Sequence, residues 1–111
     1  MDSKRGFVFV ACSDHIIVLD TAHDGHVVGS IQTGAGVDNI DYAESTGLLY
    51  IAAGEATQLT IARIDDSGRP ARLAVVPTTK GARSVVAAQG GFAYLIDPIG
   101  GRILEVEPSS K

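Results

Sequence analysis

The sequence predicts an all-β fold assembled from internal repeats. One pattern, a glycine followed by an aromatic or aliphatic β-rich run, occurs three times and begins at Gly6, Gly47 and Gly91. The intervals between these glycines match the roughly 40 to 50 residues of one four-stranded β-propeller blade. No long segment carries the 3.6-residue period of an amphipathic helix. We therefore expect antiparallel four-stranded β-propeller blades, in an incomplete set of about ten strands.

Short β-rich runs bounded by turn residues define each element. The pair Asp24 and Gly25 predicts a turn because glycine tolerates positive φ, and Asp65–Pro70 predicts another. We expect a single partial propeller module over residues 1–111, with repeats at about 6–34, 35–81 and 82–107 and a tail at 108–111. The predicted strands are Phe7–Cys12, His15–Asp20, Val27–Ile31, Val37–Tyr42, Leu48–Ala53, Gln58–Ile64, Arg72–Val76, Arg83–Ala87, Phe92–Ile96 and Arg102–Val106.

Three aromatic residues recur at one position, three residues after each repeat glycine. They are Phe9, Tyr50 and Tyr94, and each lies in the second strand of its repeat. Large aromatic side chains contribute strongly to buried interfaces, so we expect these residues to pack between neighbouring blades.

The strands around these aromatic residues resemble a known repeat. Phe9–Cys12, Tyr50–Ala53 and Tyr94–Asp97 are similar to the Tyr-Val-Thr-Asn strand that names the YVTN β-propeller repeat family. Gly81–Arg83 is similar to the Gly-Ala-Arg start of an innermost strand in such proteins. The resemblance implies a propeller fold and a periplasmic or extracellular parent protein, but no reaction, since structural repeats define the family.

Composition limits the classes of partner. The net charge is −4, and the nine Lys and Arg residues are scattered along the sequence. These features disfavour nucleic acid and anionic membranes as partners. We find no apolar signal-peptide segment in this sequence and no run near the roughly 20 apolar residues of a membrane span. We therefore expect a soluble protein, and Cys12 alone leaves its compartment open.

The strand inventory predicts an incomplete ring. Ten strands make about two and a half blades, whereas closed propellers have about four to eight. The first repeat lacks an innermost strand and the third lacks an outermost one, so the two absent strands do not complement each other. We favour a chain that belongs to a longer propeller, and the alternative is a homo-oligomer whose copies share one ring.

Motifs of catalysis and cofactor binding are absent from the sequence. It contains no nucleophile elbow, phosphate loop or zinc-binding helix. Gly34–Asn39 begins like a dinucleotide fingerprint, but it opens a strand instead of a helix. The histidines of the first repeat and Asp65–Gly68 lack a converging set of metal ligands. We therefore expect no catalytic residue, cofactor or metal.

The best candidates for ligand binding come from repeat position. Propeller ligands generally bind at the face where the innermost strands begin, and alignment of the repeats places Asp38 and Arg83 at equivalent positions there. They could face one another at the channel mouth, as a ligand site or as a structural ion pair between blades. The candidate residues for a polar ligand are Asp38, Asn39, Asp41 and Arg83.

The sequence thus favours a non-enzymatic scaffold or binding module for a small molecule or a protein. One alternative is a fragment of a propeller enzyme, of dehydrogenase or lactonase type, whose active site lies in other blades. Another is a self-assembling structural repeat. Fold analogy alone does not choose between these functions.

Overall fold

Three small antiparallel sheets make up the fold. The computed structural model describes residues 1–82, 84–88 and 91–107. In these residues the strands are β1 (Phe7–Ala11), β2 (His15–Asp20), β3 (His26–Gln32), β4 (Val37–Ala43), β5 (Leu48–Ala53), β6 (Gln58–Ile64), β7 (Pro70–Pro77), β8 (Val85–Ala87), β9 (Ala93–Asp97) and β10 (Arg102–Val106). A short 3-10 turn at Thr21–His23 follows β2. The expectation of an all-β fold with about ten strands is confirmed.

Each sheet is a meander of consecutive strands. Blade 1 has the order β1-β2-β3, blade 2 has β4-β5-β6-β7, and blade 3 has β8-β9-β10. All neighbouring strands pair antiparallel. These are partial propeller blades, and only blade 2 has four strands in the described part of the chain. The predicted start of β8, Arg83, lies outside the described residues.

The repeat glycines begin equivalent strands. Gly6, Gly47 and Gly91 have φ angles of +76°, +72° and +84°, a region that glycine adopts without the steric cost of a Cβ atom. The three glycines thus share one backbone conformation just before β1, β5 and β9. It follows that β1, β5 and β9 are the second strands of their blades. Within the described residues, blade 1 has no innermost strand and blade 3 has no outermost one.

Alternation along β5 explains how blade 2 holds its neighbours together. Leu49 and Ile51 point into the apolar cluster shared with blade 1, whereas Tyr50 and Ala52 point into the cluster shared with blade 3. All four side chains are buried. Successive residues of a strand face opposite sides of a sheet, so a strand that is covered on both faces needs apolar residues at every position. The sequence of β5, from Leu48 to Ala53, is such a continuous apolar run.

Two of the three repeated aromatic residues pack between blades. The Phe9 ring centroid lies 4.8 Å from that of Tyr42 in blade 2. The Tyr50 hydroxyl donates to the Gly91 carbonyl oxygen at the edge of blade 3, at 3.1 Å. Tyr94 instead donates to Glu105 within its own blade, at 3.0 Å. The inter-blade prediction is confirmed for Phe9 and Tyr50, whereas the Tyr94 hydroxyl bonds within blade 3.

Candidate functional site

Three of the four predicted ligand residues, Asp38, Asn39 and Asp41, lie in β4, the innermost strand of blade 2. A glycine with φ of +74°, Gly36, turns the chain into this strand. The apolar residues Val37 and Ile40 pack against the cluster between blades 1 and 2, which leaves Asp38 and Asn39 exposed. A register shift between Val37 and Asn39 breaks the strict alternation here, so both polar residues reach solvent.

The side chains of this strand accept hydrogen bonds from backbone N–H groups. Asn39 Oδ1 accepts from the backbone N–H of Val85 at 3.0 Å, and Asp41 Oδ2 accepts from that of Ala87 at 2.7 Å. Both donors belong to β8, the innermost strand of blade 3. They lie on the edge of β8 that has no strand beside it within the described ranges. The two side chains therefore satisfy donors that a sheet edge would otherwise leave unpaired.

Asp38 is placed differently from its two neighbours. Its Oδ2 accepts from the backbone N–H of Gly54, at 3.2 Å, within blade 2. The structure thus brings Asn39 and Asp41 to blade 3 and leaves Asp38 exposed on its own blade. Arg83 lies outside the described residues, so the pairing of Arg83 with Asp38 stays a prediction. The described part of the site offers acceptor oxygens, which suit a cationic or hydrogen-bond-donating ligand.

A second polar cluster, which sequence reasoning missed, joins blades 1 and 2 where β4 ends. Asp2 Oδ2 accepts from Arg5 Nε and from the Tyr42 hydroxyl, both at 2.7 Å. Arg5 also donates to the Tyr42 hydroxyl at 3.1 Å and to the Ile64 and Asp65 carbonyl oxygens at 3.2 and 2.8 Å. The sequence gives no sign of this cluster, because its blade 2 members lie 40 or more residues away from Asp2.

The protonation states of this cluster follow from its contacts. Burial alone would raise the pKa of Asp2, but the hydrogen bonds from Tyr42 and Arg5 and the guanidinium charge lower it to about 2. The hydrogen bond to Asp2 raises the pKa of Arg5 despite burial. Burial and the hydrogen bond to Asp2 also raise the pKa of Tyr42. Near pH 7 the cluster is therefore a carboxylate, a guanidinium and a neutral phenol.

The cluster borders a cavity of about 440 Å³. Lys4, Glu44, Arg63 and Asp66 on its wall carry charges of both signs. The Arg5 guanidinium also lies 5.1 Å from the centroid of the Phe7 ring. Because the Arg5 and Asp2 groups are occupied by one another and by blade 2, their arrangement suits a connection between blades better than the binding of a ligand.

The histidines and the acidic turn contact their own neighbours in sequence. His23 Nδ1 lies 2.7 Å from Asp20 Oδ2, and His15 Nδ1 lies 2.8 Å from Asp14 Oδ1. Asp65 Oδ1 accepts from the backbone N–H groups of residues 67 and 69, which closes a turn. In residues 1–82, 84–88 and 91–107, no group of three or more His, Cys, Asp or Glu residues could hold a metal ion.

Comparison with solved structures identifies the kind of fold. The chain superposes on a chain of the "Crystal Structure of Mitotic Checkpoint Complex" with a TM-score of 0.73 and 12% identity, covering 90% of this chain and 32% of that one. It superposes on Kuenenia stuttgartiensis hydrazine synthase with a TM-score of 0.69 and 12% identity, covering 94% of this chain and 33% of that one. This chain has a propeller-type fold.

The comparisons define no family or activity. The chain spans about a third of the length of the two solved chains, and identity of 12% with them shows the fold alone. No family model matches the chain, that of the YVTN repeat included, and no curated protein matches it. The described residues contain no helix that is long and apolar enough to cross a membrane.

Proposed function

We propose that this chain is a non-enzymatic β-propeller scaffold or binding module of YVTN-like repeat type. It forms part of a larger ring, and the start of β4 binds a polar small molecule or a protein segment near the channel. One observation carries the proposal. The face of blade 3 that points away from blade 2 carries exposed apolar side chains at positions that are buried in blade 2.

The repeat positions make this comparison direct. Ala52 and Leu59 of blade 2 face blade 3, and each is 0% exposed. The equivalent residues of blade 3 are Ile96 and Ile103, which pair with each other across β9 and β10. They are 56% and 72% exposed. Since buried apolar surface stabilises by about 25 cal/mol per Å², this face favours contact with another apolar surface of the same kind.

Concentration-dependent light scattering tests the ring. We expect the chain, of 11.5 kDa, to associate through the face around Ile103, and Ile103→Lys to abolish that association. Val75→Lys is the matched control, because Val75 is 44% exposed on β7, away from the terminal face of blade 3. A discrete oligomer would mean that copies of this chain complete the ring. Open-ended association would mean that other blades complete it.

The proposal of a larger ring would be contradicted if the wild-type chain stayed monomeric at high concentration and bound no more of an apolar-surface dye than Ile103→Lys does. The channel-side site has a separate test, a thermal-shift screen of small cationic and amine compounds. A compound that binds at β4 raises the melting temperature of the wild type but not of Asp38→Ala. Equal shifts in both proteins would place its binding elsewhere.

A further inference from the structure

The hydrogen bond between Asn39 and blade 3 fixes which end of the Asn39 side chain meets solvent. Asn39 Oδ1 accepts from the backbone N–H of Val85 at 3.0 Å. An N–H group donates to the carbonyl oxygen of a side-chain amide and not to its NH₂ group, so this bond sets the orientation of the amide. The groups that the structure describes offer no acceptor to the Asn39 NH₂. Because Asn39 is exposed, it presents two N–H donors to solvent.

Asp38, the preceding residue, presents the opposite kind of group. Its Oδ2 accepts from the Gly54 backbone N–H at 3.2 Å, and its Oδ1 receives no donor from the described residues. The register shift between Val37 and Asn39 makes Asp38 the extra residue of a β-bulge. Bulges re-aim side chains and are frequent beside functional sites. Asp38 is also exposed, so an acceptor and a pair of donors occupy adjacent positions.

Asp41, the third polar residue of β4, differs from both. Its Oδ1 accepts from the backbone N–H of Tyr42 at 3.0 Å, and its Oδ2 accepts from that of Ala87 at 2.7 Å. Both oxygens of this carboxylate therefore already hold backbone donors of the folded chain. Asp41 fastens β4 to β8, and the groups that remain available for a ligand belong to Asp38 and Asn39.

The backbone groups that hold Asp38 and Asn39 meet where blade 2 joins blade 3. The Gly54 carbonyl oxygen accepts from the backbone N–H of Gly81 at 3.4 Å, so the residue that holds Asp38 also contacts the segment that enters blade 3. Val85, which holds Asn39, follows a few residues later. Because each side chain is already tied to the backbone, little of its conformational freedom remains to be lost on binding.

We propose that Asp38 and Asn39 bind a primary carboxamide, the group of small amides and of glutamine and asparagine side chains. This inference rests on the proposed binding function of β4 and names its class of ligand. A primary carboxamide carries N–H donors and a carbonyl acceptor on one carbon atom. Its NH₂ group donates to the Asp38 carboxylate, and its oxygen accepts from the Asn39 NH₂ group.

The same two residues discriminate against ligands that supply only one of these functions. A carboxylate ligand has nearly the shape of a carboxamide, but it has no donor and the charge of Asp38 repels it. An ammonium ligand donates to Asp38 and gains nothing from the Asn39 NH₂ group. Since hydrogen bonds to a charged partner are the stronger ones, Asp38 supplies most of the affinity and Asn39 supplies the selection.

Asn39 is the only asparagine in the sequence, which gives the inference a direct readout by NMR. In an isotope-labelled chain, its side-chain NH₂ resonances are identified as the pair that Asn39→Asp removes. The probes are propionamide, propionate and propylammonium, which are similar in size and differ in the polar group. We expect propionamide to shift the Asn39 NH₂ resonances saturably and to bind at least about tenfold more tightly than propionate.

One substitution separates the Asn39 donors from the contact with blade 3. Asn39→Asp keeps an oxygen for the Val85 N–H and replaces the NH₂ group by a second acceptor. Followed through the backbone amide resonance of Gly54, it should weaken propionamide binding by about tenfold or more and strengthen propylammonium binding. Gln32→Glu is the matched control, because it makes the same amide-to-acid change at an exposed residue of β3 in blade 1. It should change both affinities by less than about twofold.

A pair of peptides distinguishes the two sources of a carboxamide. The first is an acetylated alanine peptide with a central glutamine and a free carboxyl terminus, so that glutamine carries its only primary carboxamide. The second has glutamate in place of glutamine. If the glutamine peptide binds at least about tenfold more tightly than propionamide, the natural ligand is a protein segment. If it binds no more tightly, the ligand is a small amide.

Four results would overturn the inference. They are equal affinity for propionamide and propionate, equal affinity for the two peptides, unchanged propionamide binding by Asn39→Asp, and no shift of the Asn39 NH₂ resonances at the highest propionamide concentration. If propylammonium shifts the Gly54 amide resonance and propionamide does not, β4 retains the proposed binding function for cations and only the carboxamide inference is lost. Association through the face around Ile103 tests the ring independently of either result.

Discussion

Replacing Asp2 by asparagine perturbs the network that joins blades 1 and 2 while preserving the size of the side chain. Asp2 is 4% exposed, and its carboxylate accepts three hydrogen bonds, two from Arg5 and one from Tyr42. An asparagine amide has one acceptor oxygen and an NH₂ group that faces these donors. We expect Asp2→Asn to lower the free energy of unfolding near pH 7 by about 2 kcal/mol, since hydrogen bonds to charged groups contribute about 1.5 to 3 kcal/mol.

The pKa of Asp2 gives a second route to this magnitude. Its folded-state value is about 2, against an ordinary value of 3.8. At about 1.4 kcal/mol for each pKa unit, this difference corresponds to about 2 to 3 kcal/mol, which agrees with the first value. Because the folded-state pKa is the lower one, the stabilisation is present above about pH 4 and is lost as pH falls through about 2. The wild type should therefore lose its advantage over Asp2→Asn in that interval.

Urea unfolding of both proteins, near pH 7 and again near pH 2, measures this effect. Asp66→Asn is the control, because the Asp66 carboxylate lies 3.3 Å from the same Arg5 guanidinium but is fully exposed. Exposed ion pairs contribute at most about 1 kcal/mol, so this variant should stay close to wild type. The reasoning is refuted if Asp2→Asn is as stable as wild type near pH 7, or if their difference does not shrink in acid.

Two further predictions concern the contacts between blades 2 and 3. Tyr50→Phe should cost about 1 kcal/mol in urea unfolding, because it leaves the Gly91 carbonyl oxygen without its donor. Tyr94→Phe, which removes a hydroxyl that bonds within blade 3, should cost less than half as much, and equal costs would contradict the assignment. Asp41→Ala should increase the hydrogen-exchange rate of the Ala87 amide, measured by NMR, by about tenfold. An unchanged rate would show that this hydrogen bond is not formed in solution.

Local sequence patterns were sufficient to predict most of the strands. β5 occupies the predicted range, Leu48–Ala53, because an apolar run between a glycine turn and a polar turn specifies a strand without reference to distant residues. β7 begins at Pro70, two residues before the predicted start at Arg72. Proline is tolerated at the first residue of a strand, so a residue that signals a turn in the sequence also opens this strand.

Contacts between blades set the limit of the sequence reasoning. The predicted strand Val37–Tyr42 contains Asn39 and Asp41, but the partners of these residues on β8 lie 46 residues away. The same limit applies to Asp2, which contacts Tyr42 at a separation of 40 residues. A single sequence carries no signal for such pairs, because the packing of one finished blade on the next creates them.

Residues that form these contacts are separated in the sequence by about one repeat, and this separation affects how blades can be added to the fold. The bond between Tyr50 and Gly91 spans 41 residues and joins one blade to the next blade along the chain. Stability in such an array is approximately a sum of terms for single repeats and for adjacent pairs. Duplication of one repeat adds one blade and one interface and leaves more distant interfaces unchanged. The number of blades can therefore change in whole steps during evolution without redesign of the existing core.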